Sequence, residues 1–157
     1  MTNTVHQLTD ADRAILRALQ ADGRITNQQL AERVNMSASA CWRRVQALEK
    51  AGVIAGYTAR IDPARLGLGF AAIAHVSLNS HEGSVVRAFV DAVTARREVT
   101  QCYATTGDAD YVLHVVTEDL QTYDRFMSDF LFRQPHVGHV KTFVVVRDLK
   151  PSVSLPV

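Results

Sequence analysis

The sequence predicts an α+β chain of two units, an N-terminal winged helix-turn-helix and a C-terminal ferredoxin-like βαββαβ unit. Three observations carry this. The first 52 residues hold three short runs of helical hydrophobic spacing, each opened by a capping residue. From Val53 the spacing shifts towards that of strands. Beyond Gly67-Leu68-Gly69 the order is strand, helix, strand, strand, helix, strand, which builds a four-stranded antiparallel sheet with both helices on one face.

Each element has its own signal. Thr9 with Asp12 forms a capping box for a first helix carrying Ile15, Leu16 and Leu19, and Asp22-Gly23 ends it. Thr26 with Gln29 repeats the box for a short second helix with the stripe Leu30, Ala31 and Val34, and Asn35 tolerates the left-handed conformation that stops it. Ser37 caps a third helix from Ala38 to Ala51, closed by Gly52. Val53 to Ile61 reads as a strand, the wing, and Asp62-Pro63 ends it because proline holds the residue before it extended. The second unit then reads as strands Phe70 to Leu78, Val99 to Thr106, Tyr111 to Thr117 and His139 to Arg147, with helices Ser84 to Arg96 and Leu120 to Phe132. Val85, Val86, Phe89, Val90 and Val93 make one helix amphipathic; Tyr123, Phe126, Met127, Phe130 and Leu131 do the same for the other. Pro151 to Val157 reads as an irregular extension, and the domains are expected at 1–62 and 63–157.

Composition removes several classes. With 47% hydrophobic residues, 8 Gly, 4 Pro and 2 Cys, the chain is neither disordered, collagen-like nor a disulfide scaffold. It has no apolar run long enough to span a bilayer, and Met1 to Asp10 is polar without a basic-then-apolar signal, so a soluble, cytoplasmic protein is expected. The net charge of +1 hides a slight asymmetry, since residues 1–62 hold 8 basic and 6 acidic side chains.

The third helix carries the functional signal. At about 100° per residue, Cys41, Val45 and Leu48 fall within roughly 60° of one another and face inward. Ser39, Arg43, Gln46 and Lys50 lie opposite, with Trp42 and Arg44 on the flanks. Arg binds guanine bidentately, Gln binds adenine, and Ser and Lys hold phosphates, so this outer face has the chemistry of a major-groove reader, although any surface helix is polar outside. The DNA-contacting set is Ser37 at the helix start with Ser39, Arg43, Arg44, Gln46 and Lys50; Arg43 and Gln46 are expected to read bases, Arg44 and Lys50 to hold phosphates. Trp42 is expected to pack on the second helix or the wing, since Trp usually buries most of its area.

In the second unit the loop Thr105-Thr106-Gly107-Asp108-Ala109-Asp110 stands out. Its carboxylates, hydroxyls and backbone N–H groups suit an amino-acid ligand, while Gly-Asp is also ordinary hairpin chemistry. The six histidines include one close pair, His136 and His139, flanking a Val137-Gly138 turn without a Cys or carboxylate beside it, so no metal site is expected. Cys41 and Cys102 read as reduced core thiols. No catalytic constellation or cofactor motif is present.

The residues Asp22-Gly23-Arg24-Ile25-Thr26, Leu30-Ala31, Ser37, Cys41, Arg44-Val45, Leu48-Glu49 and Gly52-Val53-Ile54, followed by Gly56-Tyr57-Thr58-Ala59, resemble the winged helix-turn-helix of the Lrp/AsnC (feast/famine) regulators. Gly107-Asp108 and Asp110-Tyr111 between two strands resemble that family's amino-acid-sensing RAM domain. Family members often carry prolines where this chain has Ala38 and Ala40; proline there only pre-orders the first turn. The resemblance implies a transcriptional regulator that binds double-stranded DNA, a homodimer formed through RAM sheets, a higher assembly such as an octamer, and a small effector, usually an amino acid, bound between dimers. It assigns Thr106, Gly107, Asp108 and Asp110 to the effector site or the interface forming it. A second apolar sheet face, with Ala72, Ala74, Val112, Val144 or their alternates, is compatible with such a dimer. Siroheme decarboxylases resemble the same family in both domains; in that alternative His75 and His114 would handle substrate carboxylates. The outer face of the third helix favours the regulator.

Overall fold

The structure, a computed structural model, describes residues 7–150 and 154–157. His6, the first six residues of the polar N-terminal stretch and residues 151–153 of the extension lie outside the described residues. The chain divides into two compact units, one of residues 7–60 together with Lys150 and residues 154–157, the other Ile61–Leu149. The sequence reading left the whole extension with the C-terminal domain; its last four residues instead pack with the helical unit.

In the helical unit, α1 spans Asp10–Ala21, α2 Asn27–Arg33 and α3 Ala38–Lys50. Both capping boxes form, at Thr9–Asp12 and Thr26–Gln29, and the Ser37 hydroxyl accepts from the Ala40 N–H, so the first free amides of each helix find oxygens. Asn35 and Gly52 both adopt positive φ, 53° and 71°, where the chain turns out of α2 and α3. The Asn27 amide donates to the Ala38 carbonyl at 2.9 Å, pinning the start of α3 to the start of α2. Ile15, Leu16, Ala18, Leu30, Ala31, Cys41 and Leu48 form the core, and α3 enters it through the Cys41, Val45 and Leu48 stripe.

The expected wing strand is absent: residues 55–62 run without regular structure, and a 3-10 turn at Pro63–Leu66 follows. The segment has strand-like residues but no neighbouring strand among the described residues of the helical unit, and an unpaired strand has no ladder to stabilise it.

In the second unit, β1 (Phe70–Leu78), α4 (Gly83–Thr94), β2 (Val99–Ala104), β3 (Tyr111–Thr117), α5 (Leu120–Asp129) and β4 (Val137–Val144) follow in chain order. The sheet order is β2-β3-β1-β4, all antiparallel. Ala72, Ala74, Val76 and Leu78 of β1 and Leu113 and Val115 of β3 pack with Phe89, Val93, Phe126 and Met127 of the helices. Ala72 and Ala74 are wholly buried in this core, so they belong to the helix-covered face and not to the second one. The second helix ends at Asp129, and Leu131–Arg133 continues as a separate 3-10 turn. The turn before β4 falls at Gln134–His136, where His136 takes φ 67°, and Val137 and Gly138 already lie in the strand.

Candidate DNA-binding face and effector loop

The start of α3 and its outward side bring Ser37, Ser39, Arg43, Gln46 and Lys50 together as exposed side chains. Four of the six expected DNA-contacting residues make hydrogen bonds inside the unit: the Ser37 hydroxyl, which caps Ala40, lies 3.4 Å from that of Ser39, and Arg44 and Gln46 hold acidic partners. Arg44, half-buried, donates from Nη1 to Asp12 Oδ1 at 2.8 Å and to Thr9 Oγ1 at 3.1 Å. Gln46 donates to Glu49 Oε2 at 2.8 Å, and Tyr57 donates its hydroxyl to Glu49 Oε1 at 3.0 Å. Burial and the neighbouring Glu49 carboxylate raise the Tyr57 hydroxyl's pKa, keeping it a donor.

Asp12 is the least exposed charged residue of this region, at 6%. Its Oδ2 accepts from the Thr9 N–H at 2.9 Å and the Thr9 hydroxyl at 2.6 Å, while Oδ1 faces Arg44. Burial pushes the carboxyl pKa up, but the Thr9 hydroxyl, the Thr9 amide and the Arg44 guanidinium together outweigh it and hold Asp12 below its ordinary value. The helix cap is therefore also the counter-ion of the third helix. Sequence reasoning found the cap from its spacing and missed the ion pair, because 32 residues separate Arg44 from Asp12. Glu49 and Tyr57, only eight residues apart, escaped it because their bond depends on how the irregular chain turns back after α3.

Trp42 does not bury as expected: it is 55% exposed. One side lines an open groove with Leu19, Val45 and Tyr57, and the rest faces solvent.

In the sheet unit, Thr106, Gly107 and Asp108 are exposed in the β2–β3 loop, and Asp110 sits at its base. Asp110 Oδ2 accepts from the Leu78 N–H at 2.7 Å and Oδ1 pairs with His81 Nε2 at 2.8 Å. The Leu78 amide first, then His81, lowers the Asp110 pKa. The Asp110 N–H reaches the Val76 carbonyl and the Thr105 hydroxyl donates to the Ala109 carbonyl. The loop is thus tied to the end of β1 through Asp110, whereas the Asp108 carboxylate has no hydrogen-bond partner among the described residues. The structure separates two aspartates that the sequence reading treated alike.

The sheet face away from α4 and α5 presents Ala71, Ile73 and His75 of β1 with Val112, His114 and Val116 of β3, all half-buried. Across it, His75 pairs with Val112 and Lys141, and Ile73 with His114 and Phe143. Phe143 is 44% exposed, with Lys141 Nζ 5.1 Å from its ring centre and the His75 ring 5.0 Å away. His114 Nδ1 lies 2.6 Å from the Thr100 hydroxyl. Burial raises the pKa of both free thiols, Cys41 and Cys102, so neither is an activated nucleophile. Among the described residues no group of three His, Cys, Asp or Glu side chains is placed to hold a metal ion, and no helix is long and apolar enough to cross a membrane.

Comparison with known proteins finds a family model for each part of the chain. Residues 71–155 match the family model of the Lrp/AsnC ligand binding domain, and residues 8–55 match a winged helix-turn-helix DNA-binding model. The chain is 34% identical over 150 residues to the transcriptional regulator AzlB of Bacillus subtilis, covering 96% of each chain. It is 37% identical over 141 residues to the leucine-responsive regulatory protein of Escherichia coli K12, covering 90% of this chain and 86% of that one. Among solved structures, a transcriptional regulator of Neisseria meningitidis in complex with L-Met superposes with a TM-score of 0.92 at 35% identity, covering 96% of this chain and 97% of that one.

Proposed function

The chain belongs to the Lrp/AsnC family of transcriptional regulators, and from that premise we propose that it binds double-stranded DNA through α3 and changes its occupancy when a small effector, an amino acid, binds its sheet unit. The observation that carries the reading is the exposed set Ser37, Ser39, Arg43, Gln46 and Lys50 on one helix of a helix-turn-helix whose core packs through the opposite stripe. Arg43 and Gln46 read base edges, Gln46 once its amide leaves Glu49, while Lys50 and the two serines hold phosphates. Arg44 is bound to Asp12 and Thr9, so its part is to position α3.

An amino acid is supported as the effector class by the relative solved with L-Met. Thr106, Gly107 and Asp108 present the hydroxyl, free backbone and carboxylate that an ammonium and a carboxylate need, and Asp110 holds the loop in place. The outer sheet face, with Ile73, Val112 and Phe143, forms the contact of a homodimer, from which an octamer or similar ring is built. The working domains are 1–62 and 63–157, apart from the last residues. His75, its ring tilted against Phe143, and His114, bonded to Thr100, are interface side chains here and not handlers of a tetrapyrrole, so no catalytic role is assigned. A regulator of this kind acts beside DNA in the cytoplasm.

The test is a gel shift of the purified protein on DNA upstream of its own gene, each amino acid added in turn. A salt-dependent, sequence-selective shift altered by one or a few amino acids is expected. Binding that ignores DNA sequence at every salt concentration would overturn the reading.

A further inference from the structure

The chain leaves the helical unit after Arg60, builds the whole sheet unit, and re-enters the helical unit at Lys150. What receives it is the exposed side of α1. Gln20 offers its amide to the Leu155 backbone in both directions: Oε1 accepts the Leu155 N–H at 2.6 Å and Nε2 donates to the Leu155 carbonyl at 3.2 Å. That is the pair of bonds a neighbouring strand would make. Three residues earlier on α1, Arg17 Nε donates to the Val157 carbonyl at 2.6 Å. The Val157 side chain then packs against the core built on Ile15 and Leu16. Leu155 itself is 66% exposed, so its backbone is held and its side chain is not.

We propose that the Arg17–Gln20 side of α1 is a docking surface for an extended peptide backbone, and that residues 154–157 of this chain are its occupant. The DNA-binding unit then has two attachments to the sheet unit, the covalent passage near Ile61 and the docked tail. A single flexible connection lets a unit rotate; a second attachment removes much of that freedom, and the tether keeps the docking partner at high effective concentration. Pro156 restricts the free tail, which lowers the entropy lost on docking. Ser154, Leu155, Pro156 and Val157 have uncharged side chains, so the two Gln20 bonds and the Val157 side-chain contact, unlike the charge-assisted Arg17 bond, resist salt that releases DNA. The consequence for DNA rests on the regulator reading above; the docking itself does not.

Hydrogen exchange of the full chain followed by NMR tests the docking. The Leu155 N–H of the parent should exchange at least tenfold more slowly than in a free Ser-Leu-Pro-Val peptide, at low and at high salt. Gln20→Ala and, separately, Val157→Asp should bring it to the peptide's rate while the amides of α1 and α3 keep theirs. A parent amide already exchanging at the peptide rate, or one still protected in both variants, would overturn the docking. The same two variants, titrated on DNA with one and with two half-sites, test the tether. Affinity for the paired site should fall roughly threefold or more with the single-site affinity unchanged. Equal losses on both, or none, would overturn the second attachment while leaving the regulator reading intact.

Discussion

Replacing Asp12 by Asn separates two views of Arg44 that predict opposite signs. The substitution removes the charge 2.8 Å from Arg44 Nη1 and weakens the reciprocal cap on Thr9. Asp12 is almost fully buried, while the Arg44 side chain is 39% exposed and its charge partly screened. A hydrogen bond to a charged group contributes about 1.5 to 3 kcal/mol, and screening on the Arg44 side places the loss near the lower end, about 2 kcal/mol. If Arg44 positions α3, the variant should melt earlier and bind its operator more weakly, although it carries one negative charge fewer. If Arg44 were a phosphate contact held back by Asp12, freeing it would strengthen binding and steepen the salt slope. Urea unfolding and a salt series of gel shifts decide between them. Tighter binding with an unchanged melt would refute the positioning role. The pH dependence has a definite sign as well. Because the Asp12 pKa is held below the ordinary 3.8, its contribution is present above that value and lost as pH falls through the lower, folded one. Asp12→Asn should therefore flatten the acid limb of the parent's stability curve.

On α3, Arg43→Ala should cost about 1 to 3 kcal/mol of operator binding and relax specificity, whereas Lys50→Ala should weaken all sequences alike and lower the salt slope by about one; unchanged affinity and selectivity would remove Arg43 from the reading face. In the loop, Asp108→Ala should abolish the amino-acid response in a gel shift at unchanged stability, while Asp110→Ala should lower the melting temperature by freeing the Leu78 amide and His81. On the outer sheet face, Ile73→Glu should turn the protein into a monomer in sedimentation at micromolar concentration, because burying like charges across a two-fold contact is unfavourable; an unaltered sedimentation coefficient would move the dimer contact elsewhere.

Local spacing alone decided where helices begin and which way their apolar stripes face. Thr9 with Asp12, Thr26 with Gln29, and Ser37 act within one turn, so their chemistry is written in adjacent residues. The same holds for β1 and β3, whose observed ends match the expected ones, and for the inward stripe of α3. Sequence did not show which side of the sheet each strand residue takes, since β1 and β3 are apolar at both alternate positions; only the docking of α4 and α5 put Ala72 and Ala74 inside and Ile73 and His75 outside. It placed a strand at Val53 to Ile61 from residue type, but a strand exists only with a partner, and none lies among the described residues of the helical unit. Arg44 looked like a phosphate contact by its angle, Asp110 like a ligand group by its loop, and residues 154–157 like a loose end. Their partners, Asp12, His81 and Gln20, stand 32, 29 and 135 residues from the groups they hold. Bonds across such separations are made by the packing of whole elements, and no local pattern along the chain encodes them.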